Sequence, residues 1–221
     1  LKRIGFIVLG TDKWIGGRHY ITNLLKIIKS QQSKELSTIL FLPSKVSKVE
    51  LDQYLIIKDL KIIKTVFLDN FFSKIGFFLA LLFGQDIFIQ KLLVDHKVDR
   101  VFTNTKYLGW RFALPVIVWI PDLQHKFLKY MFSKFGFIKR EIGFRLQILM
   151  AHKVMLSSND AKNHCEKFYK QSVGKSLSVP FAILNSNDIK EHTNSNIHQK
   201  YNIPKEYFYI PNQFWRHKNH I

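Results

Sequence analysis

Three segments hold side chains whose types and spacing fit chemistry on an anionic, hydroxyl-rich ligand. The first is GTDKWIGGRHYITNLL, residues 10–25. An apolar run, then Gly16 and Gly17, then Arg18 opening a helical pattern, is the layout of a βα turn whose backbone N–H groups face an anion. Glycine lets a ligand approach the backbone closely. Arg18 adds positive charge, which suits a phosphate better than it suits the helix dipole. An ordinary βα turn with no ligand fits the same residues. The pair does not match G-x-G-x-x-G, which disfavours a nicotinamide cofactor.

The second segment is VIVWIPDLQHKFLKYMFS, residues 116–133. A strand ends at Ile120, Pro121 breaks it, and Asp122, Gln124 and His125 are expected on a loop at the ligand-binding edge of a sheet. Gln and His hydrogen-bond sugar hydroxyls, and a neutral imidazole donates or accepts near neutral pH. The plainer reading is a polar loop that caps the next helix. In the third segment, KVMLSSND, one serine caps the following helix, and Ser157 is the candidate for a ligand contact. Cys165, within that helix, reads as a buried structural thiol rather than a nucleophile. Near the end, NQFWRHKNH sets His217 and His220 in an H-x-x-H spacing. A metal needs at least one further ligand, and no Cys or acidic cluster accompanies them. Lys218 fits a phosphate contact instead.

Short apolar runs alternating with longer helical patterns imply an α/β, Rossmann-like, doubly wound parallel sheet. Strands are expected at Ile4–Leu9, Thr38–Leu42, Ile62–Leu68, Arg100–Thr103, Val116–Ile120, Val154–Ser157 and Leu177–Val179. Helical patterns cover Arg18–Ser30, Lys48–Lys58, Phe72–His96, Ile138–Ala151 and Asn159–Tyr169. Residues 182–204 turn to Asn, Ser, His and Lys and read as a linker. An apolar strand then resumes at Tyr207–Ile210. The expected organisation is one α/β domain over 1–181, the linker, and the start of a second domain over 205–221. Both ends, Leu1 and Ile221, read as cuts.

Of the residues, 47% are hydrophobic and 14% aromatic, enough to bury a sizeable core. The formal net charge of +18 comes mostly from Lys spread along the whole chain. No Arg-rich tract or nucleic-acid motif accompanies it, so nucleic acid is not an expected partner. Attraction to phosphorylated substrates or to an anionic membrane face uses the same charge. A lone cysteine rules out an intrachain disulfide and suits a reducing compartment. FFSKIGFFLALLFG, residues 71–84, is too short for a transmembrane helix and carries Lys74. The aromatic and basic stretch Phe127–Arg140 either lies on a membrane surface, with its lysines snorkelling, or packs into the core with a solvated basic side.

In their order along the chain, the GG loop, WIPDLQHKF, VMLSS, VPF and KYNIPKEYFYIPNQFWRHKNH resemble family 4 glycosyltransferases of bacterial surface-polysaccharide pathways. The resemblance covers nearly the whole chain, and PDLQH and NQFWRHKNH are its most specific parts. It implies a GT-B architecture, two Rossmann-like domains facing a cleft, of which this chain holds the N-terminal, acceptor-side one. By position, Gly16 and Gly17 match the loop near the donor phosphates, His125 the histidine that reaches the donor sugar, and Lys218 the basic residue on the diphosphate. Arg18, Asp122, Gln124 and Ser157 are the cleft-lining candidates. The implied reaction is transfer of a hexose from a nucleotide-sugar such as a GDP- or UDP-hexose to a lipid-linked or polysaccharide acceptor. It retains anomeric configuration and needs no metal or other cofactor.

Two departures stand out. Asn212 or Gln213 stands where the family has an arginine, and the C-terminal glutamate motif is absent. The chain is therefore expected to be inactive alone. The implied location is cytoplasmic, peripheral on the inner membrane. A GT-B-like epimerase and a non-enzymatic basic module that binds anionic polymer or membrane are the rival readings.

Overall fold

Apolar runs rich in Ile, Val, Leu and Phe form the strands because both faces of a parallel sheet are covered and the strands have no wet side. A computed structural model of the chain describes residues 2–9, 14–31, 35–182, 201–204 and 206–208. It divides the chain into two units, Leu1–Leu184 and Asn185–Ile221. Strands β1 (Lys2–Ile7), β2 (Leu36–Pro43), β3 (Lys61–Thr65), β4 (Arg100–Thr103), β5 (Val116–Ile120), β6 (Lys153–Leu156) and β7 (Ser176–Ser178) make one seven-stranded sheet. The order is β3-β2-β1-β4-β5-β6-β7, and every pairing is parallel. The expected α/β Rossmann-like fold is the one observed.

Helices α1 (Ile15–Ser30) and α2 (Lys48–Leu55) cover one face. Helices α3 (Asn70–Phe83), α4 (Ile87–Asp95), α6 (Lys134–Met150) and α7 (Asn159–Phe168) cover the other, and α5 (Gln124–Phe127) is a single turn. Alternation along each strand divides the core. Phe6, Leu40, Leu42, Phe102 and Trp119 pack with Tyr20, Ile21 and Leu25 of α1. Ile7, Ile39, Phe41, Val101 and Val118 pack with Ala80, Leu93 and Ile148 on the opposite face.

Several expected boundaries shift, each for a local reason. α1 begins at Ile15 rather than Arg18, so Gly16 and Gly17 lie in its first turn, where backbone N–H groups have no intrahelical partner and glycine is tolerated. The expected helix over 72–96 is two helices meeting at 104°. Gly84 ends the first in the left-handed region at φ 81°. Asp86 caps the second, its Oδ1 accepting from the Ile89 N–H at 3.2 Å. β3 stops at Thr65, whose hydroxyl accepts from the Phe67 N–H at 3.2 Å and turns Val66–Leu68 into a 3-10 helix. α6 starts at Lys134 because Ser133 caps it, accepting from the Gly136 N–H at 3.1 Å. The strand expected over Tyr207–Ile210 is not formed at Tyr207 and Phe208, which are exposed, and burying an apolar run is what favours a strand there. Tyr209 and Ile210, and most of the expected linker, lie outside the described residues.

Candidate functional site

β1 and β4 are neighbours, yet the chain winds outward from them in opposite directions. A crevice therefore opens beyond their carboxyl ends, the usual ligand position in such sheets. Its floor is built from the segment after β4. The Asn104 side chain clasps the end of β1: Nδ2 donates to the Leu9 carbonyl at 2.9 Å and Oδ1 accepts from the Leu9 N–H at 3.2 Å. Lys106 turns inward, where its ammonium pairs with the Asp86 carboxylate at 2.9 Å and donates to the Ser73 hydroxyl at 3.1 Å. The Lys106 and Asp86 side chains are 3% and 1% exposed, so the two charges neutralise each other out of water.

Above this floor lies a cavity of about 740 Å³ between α3, the segment 105–107 and α6. Phe77 and Phe78 of α3 face Ile138, Ile142 and Leu146 of α6 across it. The size is that of a small-molecule site, with mostly apolar walls and a few polar groups. One of those groups is Gln147, 6% exposed, whose Nε2 donates to the Thr105 carbonyl at 3.0 Å. Its Oε1 is buried and has no hydrogen-bond partner among the described residues. Lys74 and Lys139 stand exposed on the rim, with no ion pair among the described residues.

The expected site residues fall in two other places. Gly17, Arg18 and Ser157 gather around Trp119 of β5 and the start of α1. Trp14 stacks on Trp119 with ring centroids 5.3 Å apart, and Tyr20 stacks on it at 4.1 Å. A Cβ on Gly17 would lie 2.2–2.5 Å from the Trp14 ring, so this glycine admits the indole; at Gly16 the nearest neighbour is 3.7 Å away. Ser157 accepts from the Trp119 indole N–H at 3.4 Å, while Ser158 caps α7. Arg18 is 7% exposed and its Nε has no hydrogen-bond partner among the described residues. Among the described residues, α1 has neither a side-chain cap nor an acidic residue in its first turn. Burial pushes the Tyr20 phenol up to about 12.

Asp122 follows β5 on the short loop expected for it, whereas Gln124 and His125 lie on the turn α5 rather than on an open loop. The Asp122 carboxylate caps that turn, accepting from the Gln124 N–H at 3.1 Å, and Arg140 sits 3.7 Å from it. His125 is fully buried, with Phe132, Phe137 and Phe144 around its ring. Its Nε2 lies 3.2 Å from Glu141 Oε2 and 3.1 Å from the Tyr169 hydroxyl. Opposite a carboxylate, the proton belongs on Nε2. Nδ1 is then a buried acceptor, with no partner among the described residues. Burial holds the imidazole below its ordinary pKa, against the hydrogen bond to Glu141, so it is neutral at pH 7. Burial pushes the Glu141 carboxyl up, but hydrogen bonds from Lys126 and Tyr169 outweigh it and leave the group below its ordinary value. In this arrangement His125 pegs α5 to α6 and α7, and its ring is enclosed by the described residues around it.

Cys165 is buried in α7 and its thiol is pushed up by burial, as suits an inert thiol. His217, Lys218 and His220 lie outside the described residues. Among the described residues no group of three or more His, Cys, Asp or Glu converges as metal ligands, and no single helix is long and apolar enough to cross a membrane. Asn104, Lys106 and Gln147 are absent from the sequence-based expectations. The signal for the first two was TNTKY directly after an apolar strand. Gln147 gave none, since a lone Gln in a helical pattern reads as surface.

No family model matches the chain, and no curated protein matches it. Among solved structures, a glycosyltransferase from Rickettsia africae superposes with a TM-score of 0.53 at 17% identity, covering 92% of this chain and 50% of that one. UDP-GlcNAc 2-epimerase from Neisseria meningitidis, bound to UDP-GlcNAc, superposes at 0.53 and 15% identity over 80% of this chain and 46% of its own. The MnaA–UDP co-structure from S. aureus gives 0.52 at 14% identity over 80% and 43%. The chain thus spans half or less of the length of these structures. The fold they share with it is the Rossmann-like half of a GT-B architecture.

Proposed function

We propose that the Leu1–Leu184 unit is the acceptor-side half of a GT-B glycosyltransferase of the family 4 type, and that the donor-binding domain starts after a linker within 182–204. The reaction is transfer of a hexose from a nucleotide-sugar to a lipid-linked or cell-surface polysaccharide acceptor, retaining and metal-independent, on the cytoplasmic face of the inner membrane. The observation that carries this reading is the cavity beyond β1 and β4, a seat for a second substrate with a buried, unused oxygen at Gln147. An epimerase rearranges one nucleotide-sugar and has no use for such a seat.

The chemistry follows from charge. Breaking the sugar–diphosphate bond builds negative charge on the leaving group, and fixed N–H groups and cations stabilise it without reorganising. The uncapped first turn of α1 with Arg18, and Lys218 further along, are the groups proposed for that task. His125 serves by holding the segment after β5 in place.

The epimerase is the second reading, favoured by the fold shared with the Neisseria enzyme. One experiment separates the two. A form of the protein with a complete second domain is incubated with UDP- and GDP-hexoses, with and without acceptor. Nucleotide release that depends on acceptor supports transfer. Sugar interconversion without acceptor, or transfer by the 221-residue chain alone, overturns the reading.

A further inference from the structure

The two long walls of the cavity carry apolar side chains that water reaches. On α6, Phe135, Ile138 and Ile142 are 76%, 54% and 53% exposed and stack at three- and four-residue spacing along one face. On α3, Phe77 and Phe78 are 37% and 61% exposed and line the facing wall. Large apolar side chains left open along a concave surface mark a ligand or partner site.

Charge narrows the ligand. Among the described residues no acidic side chain lines the cavity, and the inner lysine, Lys106, is already neutralised by Asp86. Lys74 and Lys139 are then two cations on opposite rims of an apolar trough. A neutral hydrocarbon would leave them unused, and a small anion would leave the trough empty. At the inner end, Gln147 Oε1, without a partner among the described residues, is fit to accept from a hydroxyl. A flat bilayer could not reach that buried atom.

We infer that this groove takes a single lipid phosphate, its hydrocarbon chain lying between α3 and α6, its phosphate between Lys74 and Lys139, and a hydroxyl of its head on Gln147. As the identity of the acceptor, this rests on the transferase reading; as a binding site, it stands on the groove itself.

Gly143 supplies a clean test. It lines the groove, and a Cβ there meets nothing within 4 Å, so a larger side chain fills the trough without a clash. Replacing a helical glycine also favours the helix, so Gly143→Leu does not unfold the protein. Titration calorimetry on the 221-residue chain, with ligands below their micellar concentrations, compares decyl phosphate, decyl maltoside and inorganic phosphate. Decyl phosphate is expected to saturate at one per chain, with decyl maltoside at least tenfold weaker and inorganic phosphate not binding over the same range. Gly143→Leu should weaken decyl phosphate at least tenfold with no fall in Tm. The double variant Lys74→Gln, Lys139→Gln should remove most of the preference for the phosphate.

Equal binding of the phosphate and the maltoside, unchanged affinity in Gly143→Leu, or saturable binding of inorganic phosphate each overturns the inference. So does co-sedimentation with anionic phosphatidylglycerol vesicles unaccompanied by decyl phosphate binding, which makes the face a bilayer contact. A dimer that Gly143→Leu dissociates also overturns it, since a second copy then fills the groove. Sugar transfer to a soluble acceptor with no amphiphile binding would sink the lipid and leave the transferase standing. Amphiphile binding in a protein that never transfers sugar would do the reverse.

Discussion

His125 Nε2 lies 3.2 Å from Glu141 Oε2, and the same carboxylate takes the Lys126 ammonium at 2.6 Å and the Tyr169 hydroxyl at 3.0 Å. One oxygen of α6 thus gathers two groups from α5 and one from the end of α7. The Lys126 ammonium also stands over the Tyr169 ring, 4.9 Å from its centre.

Acid should loosen this knot from two sides. Burial lowers the His125 pKa, so as pH falls through about 6.5 the unfolded chain takes up a proton that the folded chain resists, and stability drops. Glu141 is held below its ordinary range, so it adds a loss of the same sign as pH falls below about 4.3. Thermal melts between pH 7.5 and 4 should show Tm falling from near neutrality downward. In His125→Gln the upper limb should flatten. An unchanged slope in that variant would show the histidine to be irrelevant to acid sensitivity.

Removing the shared acceptor should cost more than removing one donor. Glu141→Ala leaves the Lys126 ammonium, only 14% exposed in its side chain, without its carboxylate. Urea denaturation should register a loss of about 3 kcal/mol, the scale for breaking a mostly buried ion pair. A change under about 0.5 kcal/mol, as at ordinary surface positions, would argue against a structural knot.

The two glycines of α1 should part company. Gly17→Ala forces a methyl against the Trp14 ring and should destabilise by about 1–3 kcal/mol. Gly16→Ala meets only an ordinary van der Waals contact with the Trp14 ring at 3.7 Å and should stabilise slightly, by up to about 1 kcal/mol. In a form with a complete second domain, Gly16→Ala should still raise the donor KM if the first turn of α1 holds the diphosphate. Equal stability effects at both positions would refute the close packing of Trp14.

Kinetics on that longer form would separate His125 from Lys218. Lys218→Ala should raise donor KM and slow turnover, with and without chelator, if protein charge rather than metal meets the leaving group as proposed. His125→Ala should lose activity in step with a fall in Tm, since its ring is enclosed. A lowered kcat at unchanged Tm would return the imidazole to the sugar, and activity abolished by chelator would end the metal-free mechanism.

Strand positions were legible because Asp99 and Pro115 sit just ahead of β4 and β5, and Asn104 and Pro121 just past them, so the polarity change marks each edge. The break at Gly84 was hidden by apolar residues continuing through Ile87–Val94, since composition does not reveal a left-handed turn. The PDLQH segment was legible as polar and chemically capable. Its enclosure was not, because the three phenylalanines around His125 lie after the turn and on α6, and only the crossing of these elements decides which way their rings face. The cavity was least legible of all. A void is made of what neighbouring helices fail to fill, and no residue spells it.

Asn104 clasps Leu9 with both ends of its amide, as a paired strand residue would with its peptide. The β1–β4 ladder is thereby carried past its last backbone partners, Ile7 and Thr103, by a side chain. Such a splice is demanding in reach and chemistry: aspartate lacks the donor, and glutamine overshoots. It also acts as an anchor, fixing the outgoing chain at Leu9 to the crevice floor, so that the end of β1 is held by more than its ladder.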